Sequence, residues 1–286
     1  TSNDVIILSF TPFICYFARN AKIDPIPYLA AEFVAANTWS MALIIGNPTN
    51  IYLCSAFDVD FITYLKTMAL PTITAGGVSL ALLILVFGKK LKTPIENQEI
   101  ETHTTLSDKP SLILGVATLS ICTVFLAISS YLNIEMWIVC LSAVAVLFVG
   151  VTVISLLRKK VSVPAINSVK RAPWQIIPFV LSMFVMIIIL ADSGVTEAVS
   201  KALGEEHAVL KYGVLSFLSS NVINNIPMSV LFCEILKGLS VASLNGGVFA
   251  TVIGSNLGAA FTPIGALAGI MFGSILSLHG IKFGYK

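Results

Sequence analysis

Apolar residues run in long blocks, and the polar residues that interrupt them fall in tight clusters. Residues 5–17 form an apolar block only about half as long as the roughly 20 helical residues a bilayer core requires, with Ser2-Asn3-Asp4 at its head. This predicts one arm of a re-entrant hairpin, its tip at the polar cluster. Arg19 and Lys22 follow, then Asp24-Pro25-Ile26-Pro27 as a turn. Residues 28–45 rise to an interruption, Gly46-Asn47-Pro48-Thr49-Asn50, and residues 51–57 complete that crossing. A polar connection is expected over 58–66 and a further crossing over 68–87. Residues 88–110 are the longest polar stretch. Two blocks, 111–130 and 134–157, read as a helical hairpin around Tyr131-Leu132-Asn133, and 176–191 as another crossing. After the polar segment 192–207, the short blocks 209–218 and 226–236 flank Ser219-Ser220-Asn221 and Asn224-Asn225. They predict a second re-entrant hairpin. Residues 248–253 lead to a second interruption, Gly254-Ser255-Asn256-Leu257-Gly258, and 259–278 complete the last crossing.

The two interruptions carry the argument. Proline cannot donate a backbone hydrogen bond, and glycine is a poor helix former. Within hydrocarbon, non-helical backbone survives only where protein buries it or where it lines a wet cavity. Interrupted segments at corresponding places in two halves point to a binding site at the interface of a repeat. The expectation is an all-α polytopic membrane protein: an inverted repeat with two re-entrant hairpins and two broken transmembrane helices. Residues 1–87 would be the C-terminal part of the first repeat, 88–110 a cytoplasmic linker and 111–286 the second repeat.

Composition agrees. Charged residues make up 11% of the 286 and apolar ones 56%, with a mean hydropathy of +0.92, against about 25% charged in a soluble domain. With residues 88–110 inside the cell, alternation leaves only Lys66, Lys201, Lys211 and Lys237 of the 17 basic residues on the outer side. The positive-inside rule therefore favours cytoplasmic loops at 88–110 and 158–173, with the first hairpin entering from inside and the second from outside. Trp174 suits an interfacial anchor. The five cysteines lie scattered in apolar blocks as small packing residues. No signal peptide precedes the first block. The chain opens on Thr1 within a polar motif and reads as an internal piece of a longer protein.

At these motifs the chain resembles the ion-transporter superfamily, and within it the arsenical pump membrane proteins with their citrate-transporter-like domain. The resemblance rests on Asn3-Asp4 with Thr11-Pro12, Gly46-Asn47-Pro48-Thr49-Asn50, and Ser220-Asn221 through Asn224-Asn225-Ile226-Pro227. It continues in Gly254 to Gly258 with Thr262-Pro263-Ile264-Gly265, and in Gly280-Ile281-Lys282. It covers nearly the whole chain. Two departures stand out. The helices before the first hairpin, that hairpin's first arm and a last helix are missing, and Ser255-Asn256 stands where arsenical pumps often carry an acid. The resemblance implies a secondary transporter, with arsenite or antimonite efflux by alternating access as the leading activity. Sodium/proton exchange and sodium-coupled carboxylate or anion symport are the alternatives. It also implies H⁺ or Na⁺ as coupling ion, a homodimer, and a separate ATPase subunit as partner.

The residue chemistry bears on that expectation. Amide and hydroxyl side chains with unwound carbonyls are hard oxygen ligands, and half-helix N-termini present free N–H groups. Asn47, Thr49, Asn50, Ser255 and Asn256 are candidates to line a solute site, with Asn3, Ser220, Asn221, Asn224 and Asn225 at the hairpin tips. The alternative is that they satisfy broken backbone and pack helices. Asp4, Glu32 and Glu234 are the candidates for coupling an ion or proton, because acids within a membrane are costly; capping or pairing with a base is the competing role. Lys211 reads as a snorkelling surface residue. His103, His207 and His279 fall in loops, so neither a metal nor a cofactor is expected. Pro12 and Pro263 read as kinks, and Gly76-Gly77 and Gly265, Gly269 and Gly273 as close helix contacts. No phosphate loop and no nucleophile–base pair marks an enzyme. A gated channel would differ from a transporter by moving solute without counter-ion coupling.

Overall fold

The computed structural model describes residues 2–92, 109–132, 134–158, 169–170, 174, 176–262 and 264–283. Asn133, Pro263, His103, most of the 88–110 linker and most of the 158–173 loop lie outside the described residues. Among those described there are twelve α-helices and no strand. In chain order they are α1 (Asn3–Asn20), α2 (Ile26–Trp39), α3 (Pro48–Ala56), α4 (Phe61–Phe87), α5 (Lys109–Ile128) and α6 (Met136–Leu157). The second half continues with α7 (Ile176–Asp192), α8 (Val195–Leu203), α9 (Ala208–Ile223), α10 (Asn225–Leu236), α11 (Val241–Ala259) and α12 (Leu267–Leu278). Three helices, α4, α5 and α6, are long and apolar enough to cross a membrane; α7 and α8, bent by 71° at their junction, would make a fourth as a pair.

The helices divide into two compact units, residues 1–99 with 180–286, and residues 100–179. The smaller unit is the expected hairpin of α5 and α6, closed by a 3₁₀ turn at Ser129–Tyr131. The outward faces of the long helices are apolar, Leu70 and Leu85 of α4 being 73% and 80% exposed. That surface suits lipid, where apolar exposure carries no penalty. The chain is an all-α polytopic membrane protein.

The larger unit holds both broken helices. α9, α10 and α12 are apolar helices of 16, 12 and 12 residues, about 18–24 Å at 1.5 Å per residue and too short for a core of roughly 30 Å. α1 packs on α12, and α10 packs on α3. Each hairpin arm therefore lies on the half-helix that follows the break in the other half of the chain. One hydrophobic cluster fastens the first of these pairs: Ile7 and Cys15 of α1 and Leu29 and Phe33 of α2 meet Phe272 and Leu276 of α12. The Phe33 and Phe272 rings stack with centroids 4.9 Å apart.

The structure moves several boundaries. The first break begins earlier than Gly46: α2 ends at Trp39, and 3₁₀ turns at Ser40–Ala42 and Ile44–Gly46 precede α3. The polar connection at 58–66 shrinks because Asp60 caps α4, accepting from the N–H groups of Ile62 and Thr63 at 3.0 Å. The polar segment 192–207 contains α8. The second break lies further along than the sequence suggests: Gly254 to Gly258 is continuous helix, and the chain leaves helical geometry only between Ala259 and Leu267. These glycines are required by close packing of α11 on α9. A Cβ at Gly254 would run into Ser216 Oγ and the Gly213 carbonyl oxygen, and one at Gly258 would lie 2.6 Å from the Phe217 carbonyl oxygen. With Gly246 and Ala250 they repeat every four residues, the small-residue spacing that lets membrane helices approach closely. Gly76 and Gly265 do make tight contacts, whereas Gly77 and Gly273 face open space.

Two surface contacts place the ends of the helices. Lys90, just after α4, pairs with Asp24 in the α1–α2 turn at 2.8 Å. At another end Glu205, before α9, accepts from the Ser240 N–H at 2.9 Å and its hydroxyl at 2.6 Å, capping α11. The Ser240 hydroxyl and N–H hold the Glu205 carboxyl below its ordinary 4.5. Because that value falls on folding, the cap's contribution is present above pH 4.5 and is lost as the pH falls through the lowered value. Acidification and Glu205→Gln are both expected to lower the amide-exchange protection at the start of α11, taken relative to the intrinsic exchange rate at each pH, leaving the protection of α4 unchanged.

Candidate functional site

The first break is a stretch of backbone whose polar groups need partners away from water. Asn50 supplies two of them: its Nδ2 donates to the Ser40 carbonyl at 3.0 Å and the Leu43 carbonyl at 3.2 Å. Tyr64 of α4 supplies a third, its hydroxyl donating to the Met41 carbonyl at 2.9 Å. Asn47 adopts an extended backbone and caps α3, its Oδ1 accepting from the Thr49 N–H at 3.2 Å. Gly46 is needed here because a Cβ would overlap the Ser40 carbonyl oxygen.

α11 joins this break through Asn256, which is wholly buried. Its Nδ2 donates to Asn50 Oδ1 at 2.7 Å and to the Val252 carbonyl at 2.8 Å. Its Oδ1 accepts from Asn47 Nδ2 at 3.0 Å and lies 2.7 Å from Ser40 Oγ. Ser40 Oγ is also 2.6 Å from the Asn37 carbonyl, and its single proton can serve only one of the two acceptors at a time. Beside them Ser255 Oγ donates to Thr49 Oγ1 at 3.2 Å. The structure thus brings Asn47, Thr49, Asn50, Ser255 and Asn256 together, and in this conformation they bond one another.

The other predicted residues lie in separate groups. Asn3 opens α1 and donates from Nδ2 to Asn37 Oδ1 at 3.1 Å. Asp4 accepts from the backbone N–H of Ala268 in the first turn of α12. The second hairpin tip holds the second break: Asn225 N–H donates to the Gly265 carbonyl at 2.9 Å, Asn224 Nδ2 to the Ile264 carbonyl at 3.0 Å, and Thr262 Oγ1 to Asn221 Oδ1 at 2.7 Å. Asn225 Oδ1 is buried without a partner among the described residues. Ser220 donates to the Phe217 carbonyl of its own helix and faces Gly258. Glu32 accepts from Thr11 Oγ1 at 2.9 Å. Glu234 stands apart, paired with Lys237 at 2.7 Å.

Asn37 and Ser40 complete the site, and sequence reasoning misses them. Asn37 sits in the last turn of α2, as Asn256 does in the last turn of α11, and links Asn3 to the joint. Their signal is the polar run Asn37-Thr38-Trp39-Ser40 inside an apolar block, overshadowed by the glycine and proline that follow.

Asn224 has φ 72° and ψ 152°, a region populated almost only by glycine and costing about 1–3 kcal/mol for other residues. Its side chain offsets this by capping α10 and bonding Ile264. Asn224→Gly is expected to stay within about 1 kcal/mol of the parent, and Asn224→Ala to lose about 2–3 kcal/mol, because alanine keeps the strain without the bonds. Chemical denaturation in detergent would rank them.

Two broken helices joined at buried amides, each packed against a helix from the other half of the chain, define the broken-helix class of membrane transport folds. Residues 1–249 match the citrate transporter (CitMHS) family, and the chain belongs to it. It is 26% identical over 269 residues to an arsenical pump membrane protein of Escherichia coli, covering 90% of this chain and 61% of that protein. An arsenical pump membrane protein of Escherichia coli K12 is 29% identical over 272 residues, with the same shares. An uncharacterized transporter of Synechocystis is 22% identical over 242 residues, 82% of this chain and 53% of that one. The chain thus spans about three-fifths of the length of the first two relatives. No solved structure gives a significant match.

Proposed function

We propose that the protein is a secondary transporter that exports arsenite or antimonite by alternating access at the joint of its two broken helices. The observation that carries this reading is the bonding of Asn256 in α11 to Asn47 and Asn50 at the start of α3. The two broken helices thereby meet at one buried contact, which a rigid-body movement of either half would open. The network is closed here, so solute binding requires its separation. Opening then frees a set of amides and hydroxyls suited to hydrogen-bond a neutral trihydroxide such as arsenite. The named arsenical pumps among its relatives support the same solute.

Sodium-coupled carboxylate symport is the second reading, favoured by the citrate transporter family itself. The N–H groups at the heads of α3 and α12 would serve a carboxylate. The Lys90–Asp24 pair keeps the α1–α2 turn, with Arg19 and Lys22, on the same side as the start of the 88–110 segment, which supports cytoplasmic placement of that segment. For the 158–173 loop the support is its basic sequence alone. A homodimer and a separate ATPase subunit come only from likeness to the superfamily.

The test is arsenic content of cells lacking arsenite efflux, with the full-length protein or its Asn47→Ala variant expressed at equal membrane levels. Lower arsenic that returns to control levels in the variant supports efflux through the joint. Unchanged arsenic with correctly inserted protein defeats the arsenite reading and turns attention to sodium-dependent carboxylate flux.

A further inference from the structure

Three acids lie in or beside the helices around the joint, and their surroundings differ in one respect. Asp4 has the Ala268 N–H at the head of α12 beside it as a backbone donor. Glu234 is paired with Lys237. Glu32 has neither. Its Oε1 accepts from Thr11, itself fully buried, while Oε2 is buried with no partner among the described residues. Among those residues, the elements packed on α2 bring no cation to it. α1 presents Thr11 and the buried thiol of Cys15, and its one basic residue, Arg19, lies exposed about two turns beyond Thr11. α4 has no titratable residue between Lys66 and its end, and α11 and α12 have none at all. An unpaired carboxylate with one oxygen sealed from water is costly, and a proton on that oxygen removes the cost.

We propose that Glu32, held by Thr11, is the carboxyl that carries the coupling proton of the transport cycle. In the closed conformation Oε2 bears a proton taken from water. When the joint opens and water reaches Oε2, the water accepts that proton, leaving the carboxylate with the Thr11 bond. Oε2 takes its proton from the side on which the site last opened and releases it to the side on which it opens next, so one proton crosses the membrane per cycle. This rests on the transporter reading above and adds to it the identity of the coupling ion and its carrier.

The experiment uses the full-length protein in proteoliposomes, with radiolabelled arsenite as probe, and infrared spectroscopy of the same preparation. E32Q copies the protonated side chain and keeps an acceptor for Thr11. It is expected to retain arsenite exchange at equal pH, while accumulation driven by a pH gradient falls about 100-fold, the low end of the cost of removing a proton-transfer group. The parent should show a carboxylic-acid carbonyl stretch at neutral pH that is missing in E32Q. T11V should shift the pH profile of exchange, whereas S9A, on the exposed face of α1, should not. Undiminished gradient-driven accumulation by E32Q, or an infrared spectrum with no band lost in that variant, overturns the proposal. If the parent moves no arsenite, the proposed solute fails, and the infrared band alone decides whether Glu32 holds the proton. Should E32Q not fold, the band is read by comparing the parent at neutral and alkaline pH, and its absence at neutral pH overturns the proposal.

Discussion

Asn256→Ala is expected to abolish transport and to lower the melting temperature of the detergent-extracted protein by about 5–10 °C. The amide makes bonds to Asn50, Asn47 and Val252 and touches Ser40, all of them buried. Side-chain bonds between membrane helices average about 0.6 kcal/mol and reach about 1.7. Stranding their partners adds about 1–3 kcal/mol for a buried group. A total of about 2–4 kcal/mol follows, each kcal/mol being worth roughly 2–4 °C in a chain of this size. Asn256→Asp should be nearly as damaging, because it replaces a donor with an acceptor facing Asn50 Oδ1 at 2.7 Å. Asn221→Ala offers a contrast: its amide bonds only its own helix and Thr262, so a smaller loss is expected. Thermal scans and flux assays on the three variants check the order.

The second large effect is expected at Gly254. Alanine there would press its methyl group into Ser216 Oγ and the carbonyl of Gly213. The serine hydroxyl can turn aside, but the backbone oxygen cannot. Relief requires α9 and α11 to separate, which would pull Ser255 and Asn256 off the first break. Overpacking of this kind costs about 1–3 kcal/mol when neighbours can adjust and more when backbone blocks them. Gly254→Ala should therefore accumulate poorly in membranes and run as aggregate in size exclusion. Gly77→Ala and Gly273→Ala, which meet nothing within 4 Å, should behave like the parent.

The same glycines show where sequence reasoning succeeds and where it fails. The crossings and the second hairpin's short arms were legible from the lengths of their apolar blocks, but the first arm was not. Read as a half-span over 5–17, it is a helix of 18 residues, one longer than α7, because the helix takes in the polar residues at both ends. The tip at Asn224-Asn225 was legible because asparagines tolerate both a tight turn and the capping that follows it. Gly46 and Gly254 look alike in the sequence, yet one lies in unwound backbone and the other in a straight helix packed against α9. A glycine marks the absence of a side chain, and only the neighbour reveals whether backbone geometry or close approach demands it. Pro48 was the distinguishing sign, since it opens α3 where its missing N–H does no harm. Partner choice was not legible either. Nothing local says that Asn256 meets Asn50 across 206 positions, or that Glu32 finds only a hydroxyl, whereas the Glu234–Lys237 pair, three residues apart, was open to reading from spacing alone.

The central claim is that the closed joint opens during transport, and Ser255 reports on it most directly. Ser255 is fully buried and touches Thr49 across the joint. In a full-length protein otherwise lacking cysteine, Ser255→Cys can be probed with a small, membrane-impermeant thiol reagent, with and without a solute gradient. The account predicts no labelling at rest and labelling from one side of the membrane while solute moves, with transport stopping as labelling proceeds. Undiminished transport by the Ser255→Cys variant, its introduced thiol unreactive from both sides, would contradict it.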